Sequence, residues 1–314
     1  RLDSTKPWDT RVKIEALKNV GSGATIVFVG NGTTLNEFDL AKVAHPIAVC
    51  NYYVPFGHAK WGRLPDYFFC HDPSVLFTPW EAHRAYKRLP APAGYDPTLP
   101  SPAAFIDKNR QWFRRRLIVP SNLDWWGGFR AKAVMRGVDP AGCRRWLESW
   151  KAHAYVYDPL PAGHDWTARV RRRMAGGYKR EDFDPQGYVW NPRLWERLLA
   201  PVGPWLMRDL AQSRVPLWAL NSFCAVMLPI LLFMGWQRIV LVGVDFSKKG
   251  YWYCPYLSPT GQKWFYKEEF TDFYWLCDLA KRLPHQPLIQ SVRASENWLQ
   301  CPDGLVEFKD LCIH

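Results

Sequence analysis

An apolar, β-branched run in this chain stops abruptly at two closely spaced glycines. Residues 25–29 form the run, and Gly30-Asn31-Gly32 follows directly. The pattern predicts a buried first strand, a tight turn and a short helix near residues 35–44. Because glycine allows close backbone approach and a helix N-terminus favours negative charge, such a turn can hold a nucleotide phosphate. No third glycine completes the dinucleotide fingerprint, so a plain structural turn stays open.

A second pattern, far downstream, predicts that this strand lies in a parallel sheet. Residues 222–235 form an almost wholly apolar segment that ends at glycine, which is typical of a buried helix. The continuous apolar run at 238–245 is typical of a central parallel strand, and it places Asp245 at its carboxyl end, where open α/β sheets bind ligands. Further strands are predicted near 47–52, 66–70 and 287–292, with a helix at 268–282. We therefore predict an α/β fold, a Rossmann-like parallel sheet sandwiched by helices.

The centre of the chain differs in composition from both ends. Residues 79–215 are rich in Trp, Arg and Pro, with basic runs at 114–116 and 169–173. We interpret this segment as an insertion or cap over the carboxyl edge of the sheet, on the acceptor side. Residues 1–78 and 216–314 would then form a nucleotide-binding α/β core.

Net charge and cysteine usage limit the partners and the compartment. The formal net charge of +12 favours an acidic partner such as nucleotide phosphate, anionic lipid, lipopolysaccharide or nucleic acid, although a basic surface without a special partner stays open. The eight cysteines form no CxxC pair, which argues against a zinc cluster and a disulfide scaffold. We expect a cytoplasmic protein, with peripheral association at the inner face of the membrane as a further expectation.

Several motifs resemble the bacterial sialyltransferases of glycosyltransferase family 42 and related glycosyltransferase-like proteins. Gly30-Asn31-Gly32-Thr33-Thr34-Leu35 is similar to the family's G-N-G-P-S-L, and Cys50-Asn51 is similar to its strand that ends in Cys-Asn. Ser222 and the strand that ends at Phe246 resemble the family's Ser-Gly helix and its Gly-Ile/Val-Asp-Phe strand. The resemblance covers roughly residues 24–76 and 216–310.

The resemblance implies a nucleotide-sugar donor, with a CMP-sugar favoured, and neither a metal nor another cofactor. Pattern and resemblance together single out these candidate donor contacts: Gly30, Asn31, Gly32, Thr33, Thr34, Asn51, His71, Asp72, Ser222 and Asp245. Structural alternatives stay open for several of them. The asparagines suit turns, Ser222 suits a helix N-cap, and His71 is compatible with a buried, non-catalytic role.

The candidate catalytic groups follow the last predicted central strand. Tyr253 has the spacing of a family tyrosine near the donor phosphate, and a phenol there can protonate or hydrogen-bond the leaving group. Tyr251 and Tyr256 stay open as alternatives, as does a role in the aromatic core. The family's histidine base is missing before the helix near residue 270. Glu268 or Glu269 can serve as the base if its pKa is raised, although first-turn glutamates commonly interact only with the helix dipole. The Asp182-Phe183-Asp184 motif matches a metal-binding pattern, but we predict no metal site.

The sequence therefore predicts a sialyltransferase-like glycosyltransferase that moves a sugar from a nucleotide-sugar donor to an anionic glycan, lipopolysaccharide-type or lipid-linked saccharide acceptor. Interleaved Arg and Trp in residues 110–173 leave a nucleic-acid-associated enzyme or binder as a less favoured alternative. The missing histidine leaves a catalytically inactive, structural relative as another. The oligomeric state does not follow from the sequence.

Overall fold

The computed structural model describes residues 12–87, 98–123, 134, 137–160, 202–216, 223–244, 266–295 and 301–313. Within them a single sheet contains ten strands, and every paired strand is parallel to its neighbour. The strands are β1 Val12–Lys13, β2 Thr25–Val29, β3 Ile47–Cys50, β4 Tyr67–Phe69, β5 Leu117–Pro120, β6 Tyr155–Leu160, β7 Arg214–Pro216, β8 Arg238–Val242, β9 Leu288–Val292 and β10 Leu305–Val306. Their order is β1-β6-β5-β4-β3-β2-β8-β9-β10, and β7 pairs with β6 beside this path.

Successive residues of the central strands pack into two cores on opposite faces of the sheet. Ile26 and Phe28 lie in one core, whereas Val27 and Val29 lie in the other. The first core contains the helices Val202–Ala211, Leu228–Phe233 and Tyr266–Arg282. The second contains the helices Tyr53–Trp61, Pro102–Lys108, Arg110–Phe113 and Pro140–Lys151. A parallel sheet covered on both faces explains why its central strands are apolar without interruption.

The direction of strand addition reverses at the centre of the sheet. From β2 the chain adds β3, β4, β5 and β6 on one side, whereas β8, β9 and β10 extend the other side. Because crossovers between parallel strands are right-handed, this reversal places the helices of the two halves on opposite faces. The β2–β8 pair is thus the point where the topology switches, and its carboxyl end is where open α/β sheets bind ligands.

The predicted α/β class, with a parallel sheet flanked by helices, is confirmed. The helix predicted near residues 35–44 is wrong: the chain forms two short 3-10 turns, Thr33–Glu37 and Leu40–Lys42. Phe38, at the end of the first turn, is extended and so interrupts an α-helix. The apolar helix begins as a π-helical turn, Phe223–Met227, just before Pro229, which lacks an N–H for the regular ladder.

The central segment contributes to the same sheet as the two ends of the chain. β5 and β6 lie within residues 79–215, and β7 begins there and ends at Pro216. The predicted role of this segment as an acceptor-side cap stays a prediction, and residues 169–173 and 182–184 lie outside the described residues. The short helix Pro73–Leu76 precedes this segment, and the helix Trp80–Lys87 lies within it. Among the residues that the structure describes, no helix combines the length and the apolarity that crossing a membrane requires.

Candidate functional site

Polar residues follow three neighbouring strands at the carboxyl edge of the sheet. Asn31 lies after β2, Asn51 directly after β3, and Asp72 just beyond β4. Because these strands are adjacent and parallel, their following loops lie along one edge. In open α/β sheets the ligand crevice lies at this edge, and we call the region between these loops and the loop after β8 the carboxyl-edge crevice. The structure thus brings together the first members of the predicted site.

Glycines bring the loops after β2 and β8 into direct backbone contact. The Gly30 N–H donates to the Val242 carbonyl at 2.8 Å, and the Gly32 N–H donates to the Gly243 carbonyl at 2.6 Å. A Cβ on Gly30 would overlap the Gly243 carbonyl oxygen and lie 2.8 Å from Cγ2 of Val244. Both amides are therefore bonded to the neighbouring loop and do not face a ligand phosphate as free donors.

The threonines that follow begin a 3-10 turn and not the α-helix that the sequence analysis expected. Thr34 is buried, and the Leu35 N–H donates to the Gly32 carbonyl at 3.2 Å. Since the turn Thr33–Glu37 has five residues, it lacks the aligned peptide dipoles of a longer helix. Neither the amides of Gly30 and Gly32 nor this short turn therefore supplies the helix N-terminus that the sequence analysis expected for a phosphate.

The two asparagines differ in what their surroundings explain. Asn31 donates from Nδ2 to Cys50 Sγ at 3.5 Å, and burial raises the pKa of the Cys50 thiol to about 12. The Asn31 Oδ1 atom is buried and accepts no hydrogen bond from the described residues. Asn51 has a φ of 55°, a left-handed conformation that asparagine tolerates better than most residues. Local geometry thus accounts for Asn51, whereas Asn31 retains an unused acceptor.

His71 is a buried, neutral hydrogen-bonding group. Its Nδ1 lies 2.9 Å from the Tyr157 hydroxyl, and burial lowers the pKa of His71 from 6.5 to about 3. Burial also raises the pKa of Tyr157 well above its usual value. Both side chains are consequently uncharged near neutral pH, and His71 is unsuited to accept a proton there. Its neighbour Asp72 accepts the N–H groups of Val75 and Leu76 at its carbonyl, at 3.1 and 3.0 Å.

Sequence reasoning missed Cys50 as a partner of Asn31, Tyr157 as a partner of His71, and Gly243 as the contact of Gly30. The signal for Gly243 was its position at the end of the predicted strand at 238–245, opposite the strand that ends before Gly30. Tyr157 lies on β6, which the sequence analysis did not predict. Its contact with His71 bridges β4 and β6, and no local pattern encodes it.

The structure describes only some of the remaining predicted site residues. Ser222, Asp245 and Tyr253 lie outside the described residues, so their roles stay predictions. The backbones of Glu268 and Glu269 belong to the helix Tyr266–Arg282. Within the described part of the chain, no group of three or more His, Cys, Asp or Glu side chains is arranged to hold a metal ion.

Comparisons with known proteins give a limited result. No protein-family model matches the sequence, and no curated protein matches it. Among solved structures, the chain is similar to the sialyltransferase CstII from Campylobacter jejuni in complex with cytidine-5'-monophosphate, at 14% identity and a TM-score of 0.33, over 86% of this chain and 80% of that one. It is also similar to the monofunctional alpha-2,3-sialyltransferase Cst-I from Campylobacter jejuni, at 12% identity and a TM-score of 0.35, over 85% of this chain and 74% of that one. Scores of this size carry no argument about the site.

Proposed function

We propose that this protein is a glycosyltransferase that binds a nucleotide-sugar donor in the carboxyl-edge crevice. The observation that carries the proposal is the reversal of strand order between β2 and β8, with Asn31, Asn51 and Asp72 beyond the ends of the adjacent strands β2, β3 and β4. A crevice at such a reversal is the usual ligand site of open α/β sheets. The motif resemblance described above supports a CMP-sugar as the donor.

The proposed chemistry divides recognition from catalysis. Asn31 offers a buried acceptor to a ligand N–H or O–H, since the amides of Gly30 and Gly32 are already bonded. We assign stabilisation of the leaving phosphate to Tyr253, and we assign a further contact with the nucleotide-sugar donor to Ser222. An oxocarbenium-like transition state requires charge stabilisation on the departing group, which a phenol hydrogen bond supplies. Glu268 or Glu269 is the proposed base toward an anionic or lipid-linked saccharide acceptor.

One observation favours a second candidate, a protein that binds the donor without transferring the sugar. The family's histidine is missing, and His71 at the crevice is buried and neutral. It therefore does not replace that base. In this alternative the crevice binds nucleotide, and the protein acts through an interaction with other molecules.

The test begins with a thermal-shift screen of CMP-, UDP-, GDP- and ADP-sugars. We expect a CMP-sugar to raise the midpoint of unfolding and the others to raise it less. Detection of sugar transfer to saccharide acceptors then separates the enzyme from the inactive binder. Absence of any shift with all four classes of donor would remove the support for a nucleotide site.

A single substitution tests where the nucleotide lies. Gly32 has a φ of −70°, which any residue adopts, so Gly32→Val does not strain the backbone conformation. Its bulk at the crevice should weaken CMP binding at least tenfold, or about 1.4 kcal/mol. The control is Gly62→Ala. Gly62 follows the helix Tyr53–Trp61 at the opposite edge of the sheet, and a Cβ added there meets nothing within 4 Å. Unchanged CMP affinity in folded Gly32→Val protein would contradict this placement.

A further inference from the structure

Exposed cations gather at the amino edge of the sheet, opposite the carboxyl-edge crevice. Lys108, Arg114 and Arg115 are all exposed and lie in the connection that leads into β5, which begins at Leu117. We call these three residues the amino-edge patch. Because all strands are parallel, the start of β5 and the carboxyl-edge crevice lie at opposite edges of the sheet.

The arginines of this region fall into two groups. Arg116 pairs with Asp66 at 3.3 Å, and Arg110 pairs with Asp107 at 3.5 Å. Arg110 also donates to the Ser149 carbonyl at 2.8 Å and so helps to end the helix Pro140–Lys151. In contrast, no carboxylate among the described residues lies within ion-pair distance of the cations of the amino-edge patch. No described carboxylate therefore neutralises their charge.

Backbone geometry and electrostatics place the guanidinium groups of Arg114 and Arg115 near His153. Arg115 has a φ of 58°, and its N–H donates to the His153 carbonyl at 2.7 Å. The pKa of His153 is lowered by desolvation first, and then by the charges of Arg114, Arg110 and Arg115. Several cations thus surround His153 at the turn before β6. The result is a local positive field at this corner of the molecule.

An exposed indole lies within the same stretch of chain. Trp112 is 39% exposed, although its N–H donates to the Pro65 carbonyl at 2.8 Å. The Arg116 guanidinium lies 4.0 Å from the centroid of its ring. Since its only donor is already bonded and a guanidinium covers part of the ring, Trp112 offers apolar carbon and no further hydrogen bond. It is thus poorly suited to read a nucleobase.

We propose that the amino-edge patch docks this protein on a membrane surface that contains anionic lipid. Unpaired cations beside an exposed tryptophan match the two components of interfacial binding, electrostatic attraction to headgroups and shallow apolar contact. Docking at this edge leaves the carboxyl-edge crevice facing the aqueous phase, from which a soluble donor arrives. The inference does not depend on the proposed glycosyltransferase activity.

The test is co-sedimentation of the full chain with vesicles of phosphatidylcholine, with and without phosphatidylserine. We expect binding only to the vesicles with phosphatidylserine, weakening as salt rises because the charges are exposed. The double variant Arg114→Gln/Arg115→Gln should bind about thirtyfold more weakly, the effect of removing two cations near an anionic surface. The control, Lys281→Gln/Lys309→Gln, removes the same charge from two exposed sites next to β9 and β10, several strands away from β5, and should bind like the native protein.

Three results would overturn the proposal. Failure of the native protein to bind phosphatidylserine vesicles is the first, and equal binding by the double variant is the second. The third is sub-micromolar binding of single-stranded DNA or RNA at physiological salt that the same double variant abolishes, because the patch would then be a nucleic-acid site. None of these measurements uses a nucleotide sugar. The membrane-docking proposal can therefore fail while the proposed function stands, and the reverse is also true.

Discussion

Gly30 lies where the loops after β2 and β8 meet, and the space for its side chain is already filled by backbone. In Gly30→Ala a Cβ would overlap the Gly243 carbonyl, which can move only with the end of β8. We expect the free energy of unfolding to fall by about 2 kcal/mol or more, which is the usual cost of adding atoms to a filled interior. Urea unfolding measures this loss. Gly62→Ala is the matched control, because its left-handed φ costs only about 1 kcal/mol and its Cβ meets open space. Equal stability of the two variants would contradict the packing.

The buried imidazole of His71 should make stability depend on pH. Its pKa is about 3 in the folded protein and 6.5 without burial, so the unfolded chain takes up a proton first as the pH falls. The contribution of neutral His71 to stability is therefore present above about pH 6.5 and is lost progressively below it. Between pH 6.5 and 5 this loss is about 1.5 kcal/mol. Unfolding titrations of the native protein and His71→Gln should show the smaller pH dependence in the variant. Identical slopes would exclude His71 as the source.

β7 is held to the sheet by a buried carboxylate at the end of the preceding helix. Asp209 is 2% exposed, and Arg214 donates to its Oδ1 at 2.7 Å, whereas the half-exposed Arg208 lies 3.7 Å away. Arg214→Met removes the nearer partner and should cost about 3 kcal/mol, because it weakens the compensation of a buried charge. Arg208→Met should cost less than about 1 kcal/mol. Chemical denaturation of both variants checks the difference, and a larger effect from Arg208 would contradict it.

Apolar runs led to β2 and β8, whereas β5, although fully buried and apolar, directly follows the basic run at 114–116 and was missed. β2 and β8 bury almost every residue, so their composition alone identifies them. β6 contains Asp158 and Pro159, and β7 has only three residues, of which the first is Arg214, so neither shows a clear period. Their place in the sheet comes from tertiary packing, which overrides weak local propensity.

The same distinction applies to the candidate site. Asn31 and Asn51 were found because each follows a readable strand. The state of His71 depends on Tyr157, which is distant in sequence, and on full burial, so no local pattern revealed it. The bonding of the Gly30 and Gly32 amides depends likewise on the loop after β8. Position along the sheet edge could be predicted, whereas hydrogen-bond partners could not.

The whole molecule keeps most of its thiols out of water. Six of the eight cysteines are buried as free thiols, and Cys312 is half-buried. Burial raises the pKa of Cys50, Cys143 and Cys301 to about 12, so little thiolate forms at pH 8. With Ellman's reagent we expect no more than two fast-reacting thiols in the native protein and eight after denaturation. Rapid reaction of more than two would show that a buried thiol is accessible. The buried thiols are Cys50, Cys70, Cys143, Cys224, Cys277 and Cys301.

The pairing of β2 with β8 delays completion of the sheet while the protein is being synthesised. β2 leaves the ribosome before β8, because Val242, with which Val29 pairs, lies about 210 residues further along the chain. At usual rates of translation the delay is on the order of ten seconds or more, and for that period one side of an apolar strand has no partner. Nascent chains of this protein should therefore engage chaperones until β8 emerges. A polypeptide that stops before β8 would contain Asn31, Asn51 and Asp72 and still have no crevice.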